Sequence, residues 1–121
     1  MSPLRYLPLL ALIALGGCSA PAATPPPTSD AATAGQALIV KLGCGSCHTI
    51  PGIVDANGMV GPPLAHIASR QYVAGMLRNT TANMVHWLRF PQQVVPGNAM
   101  PDLAISETDG EAIAAYLATL K

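Results

Sequence analysis

Apolar residues recur at three- and four-residue spacing in three stretches of the chain, and that period predicts three helices. The first carries Ala34, Ala37, Leu38 and Leu42 and predicts a helix over about 33–43, with Thr33 or Asp30 as its cap. The second places Met84, Val85, Trp87 and Leu88 behind Thr80 or Thr81 and predicts a helix over 81–89, stopped by Pro91. The third opens on Ser106 as N-cap. Glu107, Asp109 and Glu111 follow near its first turn, where the helix dipole favours acids. Ile113, Tyr116, Leu117 and Leu120 then form one stripe, so a helix is predicted over 107–120. Between these stretches the chain is rich in turn formers. Residues 51–69 hold several prolines and glycines with Asn57-Gly58, and predict loop with a short turn near Leu64–Ala68. Residues 92–105 predict extended loop. Val94-Val95 is the one β-like pair, and Pro96 follows it at once. The fold class is therefore all-α: helices and loops, with no sheet.

The N-terminus reads differently. Arg5 precedes an apolar run from Leu7 to Leu15 and then small residues, the build of an export signal. The run falls short of the roughly 20 apolar residues needed to span a bilayer. Leu15-Gly16-Gly17-Cys18 resembles the lipobox of bacterial lipoproteins. That resemblance implies cleavage after residue 17, lipidation of Cys18, and anchoring at the periplasmic face of a bacterial membrane. Residues 19–33, rich in Pro, Ala, Thr and Ser, have nothing to bury and read as a tether. As polyproline-like chain it would reach on the order of 40 Å. The organisation is thus a leader at 1–17, a lipidated cysteine and tether at 18–33, and one domain at 34–121.

A domain of that size buries only about 60% of its surface and is marginal without a staple. Its aromatics are Tyr72, Trp87, Phe90 and Tyr116 alone. A large, flat, apolar cofactor would supply the missing core. Six basic residues balance six acidic ones, with no basic stripe, which argues against nucleic acid as a partner. Nor is there a long run of one charge to steer a strongly charged protein.

The chemistry centres on KLGCGSCHTIPG, residues 41–52. Cys44 and Cys47 stand three apart, with His48 directly behind. A zinc site commonly needs a second cysteine pair or a His-x3–5-His, and neither His66 nor His86 supplies one. A thioredoxin-like redox pair needs a βαβ setting, for which no strands are predicted. The remaining use is covalent haem attachment. Each thiol would add to one vinyl group, and the next residue would offer its imidazole to the iron. Export agrees, since thioethers persist where free thiols would oxidise.

With that motif in place the sequence resembles a class I c-type cytochrome. CGSCH (44–48), GPPL (61–64), PGNAMP (96–101) and IAAYL (113–117) match in order. The further run of Gly61-Pro62, Ala68-Ser69-Arg70, Asn79-Thr80, Trp87, Pro91-Gln92 and Pro96-Gly97 is similar to the haem domain fused to subunit II of some bacterial haem–copper oxidases. The candidates for a sixth iron ligand are Met59, Met76, Met84, Met100, His66 and His86. Met100 lies in a loop braced by Pro96 and Pro101, and the resemblance points to it as well. Met84 reads as core, Met59 and Met76 as gap-fillers, and the two histidines as surface residues. The resemblance implies one haem c held by Cys44 and Cys47, with His48 and Met100 as metal ligands. It further implies that the Pro62 carbonyl accepts from the outer nitrogen of His48, that Arg70 and Trp87 meet haem propionates, and that Gly35 and Tyr116 mark the crossing of the first and last helices.

Iron ligated on both faces leaves no open position for substrate. The expectation is therefore a monomeric one-electron carrier, not an enzyme. A terminal oxidase would be its acceptor, and a quinol-oxidising complex or a dehydrogenase its donor. The alternative is an electron-accepting subunit of a periplasmic dehydrogenase complex. Catalysis or gas sensing at the haem would require a displaceable Met100. Mitochondrial-type members carry a ring of lysines, whereas this domain has only Lys41 and Lys121. Docking is thus expected through apolar contacts near Ile50, Ile53, Val94 and Val95.

Overall fold

The computed structural model describes residues 29–121. The leader at 1–17, Cys18 and the linker as far as residue 28 lie outside the described residues. Among the described residues four helices run in chain order: α1 (Ser29–Lys41), α2 (Thr81–Arg89), α3 (Pro91–Val94) and α4 (Glu107–Leu117). Two short strands, β1 (Tyr72–Val73) and β2 (Leu77–Arg78), lie between α1 and α2, with 3-10 turns at Cys44–Ser46 and Ile67–Ser69. Among the described residues no helix is long and apolar enough to cross a membrane.

The caps of the two central predictions are in place. The Thr80 hydroxyl accepts from the Asn83 N–H at 3.2 Å, and the Ser106 hydroxyl accepts from the Asp109 N–H at 3.1 Å. Each satisfies a backbone donor that the first helical turn leaves orphaned. Four expectations need correction. The first helix begins at Ser29, so Asp30 and Thr33 lie inside it, and the last five residues of the stretch read as tether are helical. Ala31 and Ala32 in that segment have the highest intrinsic helix propensity. The fourth helix ends at Leu117, not 120. Pro91 does not merely stop α2. It occupies the first turn of α3, where its missing N–H costs nothing, so Val94 is helical. Finally, a sheet does exist, a two-stranded antiparallel ribbon pairing Tyr72 with Arg78 and Val73 with Leu77.

α1 packs across α4, and the contact is set by one residue. A Cβ built on Gly35 would stand 1.9 Å from the backbone oxygen of Ala112, so only glycine lets the two helices approach this closely. At the other end of the contact, the Tyr116 hydroxyl donates to the Pro51 carbonyl at 2.7 Å and ties α4 to the loop behind the cysteine motif. Burial pushes that phenol above its usual range, so it stays a neutral donor. Gly35 thus stands at the crossing that the resemblance implied, while Tyr116 lies about one turn beyond Ala112 on α4 and meets the loop at Pro51.

The buried set includes Ile39 on α1, Ile67 in the second 3-10 turn, Val73 on β1, Met84 and Leu88 on α2, and Ile113 and Leu117 on α4. All seven of these residues also border a single cleft. The core of the domain is therefore arranged around that cleft and not around a solid centre.

Candidate cofactor site

The cleft has a volume of about 640 Å3, within the range of roughly 300–1,000 Å3 typical of sites for small organic ligands. Cys44, Cys47 and His48 border it from one segment, Pro62 and Arg70 from the loop that follows, Tyr72 and Val73 from β1, Trp87 from α2, and Met100 from the loop after α3.

The cysteine segment is held by its backbone. Cys44–Ser46 forms a 3-10 turn, and the Cys44 carbonyl accepts from both Cys47 N–H (3.2 Å) and His48 N–H (3.0 Å). This turn brings residues three and four apart to the same side of the chain. Both cysteine side chains are partly buried. Burial pushes the Cys44 thiol above its ordinary range. A backbone hydrogen bond opposes the shift and the neighbouring Cys47 adds to it. Among the described residues no three His, Cys, Asp or Glu gather as a metal cluster.

The His48 ring is fixed from outside. Its Nδ1 donates to the Pro62 carbonyl at 2.7 Å, which leaves Nε2 as the free lone pair. The backbone behind it cannot be larger: a Cβ on Gly61 would fall 2.2 Å from His48 Cε1. Gly61 N–H in turn donates to the Cys47 carbonyl at 2.8 Å, so the GPP segment and the cysteine turn form one unit.

Of the six candidate sixth ligands, only Met84 and Met100 border the cleft. Met84 is a core residue on α2, 6% exposed. Met59 and Met76 are 91% and 65% exposed and fill no gap, which corrects their reading as packing residues. His66 and His86 are both exposed, His86 against the Phe90 ring at 5.6 Å. Ile50 is buried, at 3% exposure, and drops out of the expected docking surface.

Arg70 borders the cleft while its Nη2 donates to the carbonyls of Pro63 and of Ala65, the latter at 3.1 Å. Asn79 closes the same loop, its Nδ2 donating to the Ile67 (2.8 Å) and Arg70 (2.9 Å) carbonyls. Trp87 borders the cleft from α2, half-buried. The Met100 loop is held by two side chains to which sequence reasoning gave no role. Gln92 and Asn98 both bond its backbone. The signals available for them were the Pro91-Gln92 pair and the place of Asn98 within PGNAMP.

Two thiols and a pre-oriented imidazole on one segment, a thioether on another, and apolar walls between them match a flat macrocycle with metal-binding needs on both faces. A site of this make-up, in a small helical domain, is one that a covalently attached tetrapyrrole would fit. Comparison with known sequences agrees. The family model described as Cytochrome c matches residues 32–121. The chain is 36% identical over 96 residues to cytochrome c oxidase subunit 2 of Alkalihalophilus pseudofirmus, covering 78% of this chain and 27% of that protein. It is also 36% identical over 99 residues to cytochrome c oxidase subunit 2 of Bacillus subtilis, with 77% and 27% covered. The chain therefore spans about a quarter of the length of the curated relatives it matches. It belongs to the cytochrome c family, and is a class I c-type cytochrome related to oxidase subunit II. Membership implies haem-based electron transfer by the domain at residues 32–121.

Proposed function

We propose that this chain is a membrane-tethered one-electron carrier on the periplasmic side of a bacterial membrane, donating to a terminal oxidase. The observation that carries the reading is the convergence of Cys44, Cys47, His48 and Met100 on one apolar cleft. When bound there, haem c supplies the Fe(III)/Fe(II) couple. Cys44 and Cys47 would hold it by thioethers. His48 would bind through Nε2, its tautomer set by Pro62. Met100 would bind through its sulfur, and a His/Met pair is the high-potential choice. Arg70 spends Nη2 on loop carbonyls, which leaves Nε and Nη1 to receive a propionate. The Trp87 indole N–H is a second donor for the same edge.

The apolar walls keep water from the metal, so little solvent reorganises when one charge moves. The lipobox at Cys18 and the linker behind it support a tether. A tether raises the effective concentration near membrane partners without charge steering. The relatives' membership of cytochrome c oxidases supports the choice of acceptor.

The test is reoxidation of the reduced, full-length protein by membranes bearing a haem–copper oxidase. Rapid, inhibitor-sensitive reoxidation is expected. Failure to react, alongside reduction by a co-purifying periplasmic dehydrogenase, would favour a subunit role in that complex instead. The pigment should resist acidified organic solvent, and Cys18→Ser should move the protein from the membrane to the soluble fraction. Pigment extraction would overturn the thioethers, and an unchanged membrane fraction would overturn the lipid.

A further inference from the structure

We infer that Gln92 is the positioning residue of the Met100 loop, its carboxamide setting how readily the thioether leaves the cleft. The inference rests on the reading of Met100 as an iron ligand. Gln92 sits on α3, and its amide spans three backbone groups of one short segment. Nε2 donates to the carbonyls of Asn98 (3.0 Å) and Met100 (2.8 Å), and Oε1 accepts from the Gly97 N–H at 3.0 Å. Both amide hydrogens and the amide oxygen are thus engaged. The opposite orientation would set oxygen against two carbonyls and NH2 against an N–H, so the partners fix the amide.

Asn98 adds a second layer. Its Oδ1 accepts from the Met100 N–H at 2.7 Å, while Nδ2 donates to the carbonyls of Pro91 on α3 (2.9 Å) and of Val95 just after it (2.7 Å). The segment from Val95 to Ile105 is neither helix nor strand. Pro96 and Pro101 narrow its conformations, but neither can donate a hydrogen bond. Beyond the backbone bond from the Val95 N–H to the Pro91 carbonyl (2.9 Å), what fastens the segment to α3 is a pair of side-chain amides. The populations of closed and open loop should follow those bonds, and an external ligand for the iron would bind in proportion to the open fraction.

Gln92→Ala and Gln92→Glu, each in the haem-loaded protein, test this. The readouts are carbon monoxide binding by the reduced form, the thioether–iron absorption of the oxidised form, and amide hydrogen exchange at Gly97 and Met100. Gln92→Ala should raise apparent carbon monoxide affinity roughly tenfold and speed exchange at both amides. Gln92→Glu keeps the side-chain size and the bond from Gly97 but sets a carboxylate against two carbonyls. It should loosen the loop at least as much, an outcome that a packing role for the side chain would not give. Wild-type carbon monoxide binding and exchange in both variants, with or without a lower melting temperature, overturns the role of Gln92 while Met100→Ala still binds the gas. If Met100→Ala does not bind it either, the ligand assignment itself is lost.

Discussion

Replacing Met100 by alanine should lower the reduction potential by a few tenths of a volt, since axial ligands span about 0.8 V in haem proteins. It should also abolish thioether–iron absorption and open the reduced iron to carbon monoxide. The expectation follows from geometry. Met100 and Met84 are the two sulfurs that border the cleft, but they are held differently. Met84 is fixed in the core of α2, whereas Met100 lies on a loop whose bonds to α3 leave its side chain turned to the cleft. Met84→Leu is therefore the matched control. It conserves volume, should cost less than about 1.5 kcal/mol, and should leave the spectrum unchanged. If the absorption disappears in Met84→Leu and survives in Met100→Ala, the two residues exchange roles and the carrier must be rebuilt on α2.

The second large effect is expected at Gly35. Alanine is the better helix former by roughly 0.5–1 kcal/mol, so propensity alone would make Gly35→Ala stabilising. Sterics decide otherwise. The new Cβ would lie 1.9 Å from Ala112 oxygen and 2.5 Å from its carbonyl carbon. Both atoms are backbone and cannot swing aside, so α1 and α4 must separate. Overpacking of this kind costs about 1–3 kcal/mol and occasionally more, against a total stability of roughly 5–15 kcal/mol. A fall in melting temperature of about 10 °C or more is expected, since each kcal/mol shifts a domain this size by roughly 4–8 °C. Gly110→Ala on α4 provides the contrast. There the added carbon meets side-chain atoms, Val85 Cγ1 at 3.2 Å and the Arg89 stem at 3.6 Å, which can yield. Calorimetry should find Gly110→Ala near neutral. Equal losses at the two glycines would remove the close-approach argument.

The same contrast between side-chain chemistry and backbone geometry explains what could be read from the sequence. α2 was legible to the residue because Thr80 and Pro91 mark its limits chemically. The cysteines and histidine were legible because the spacing is the chemistry. The β ribbon was not. Its strands have two residues each, and Ala74 and Gly75 make the tight turn with φ of 55° and 68°. Such a turn usually announces itself as Asn-Gly, and alanine at positive φ gives no such signal. The helical start at Ser29 was hidden because an Ala-rich run beside prolines reads equally well as linker. Gln92 and Asn98 were hidden because their partners are backbone atoms, whose positions no side-chain pattern records. Arg70 was noticed as a cation, while its bonds to Pro63 and Ala65 emerge only once the loop is folded.

Seven of the best-buried side chains turn their inner faces to the pigment's cleft. Removing the tetrapyrrole would therefore take away the common neighbour of α1, α2 and α4, and a domain this small has little else to collapse upon. Acquisition of colour and acquisition of tertiary structure should then be a single event. Whatever joins the pigment to the chain would then have to work while the chain is still loose, and the attached ring would become the nucleus on which the rest condenses.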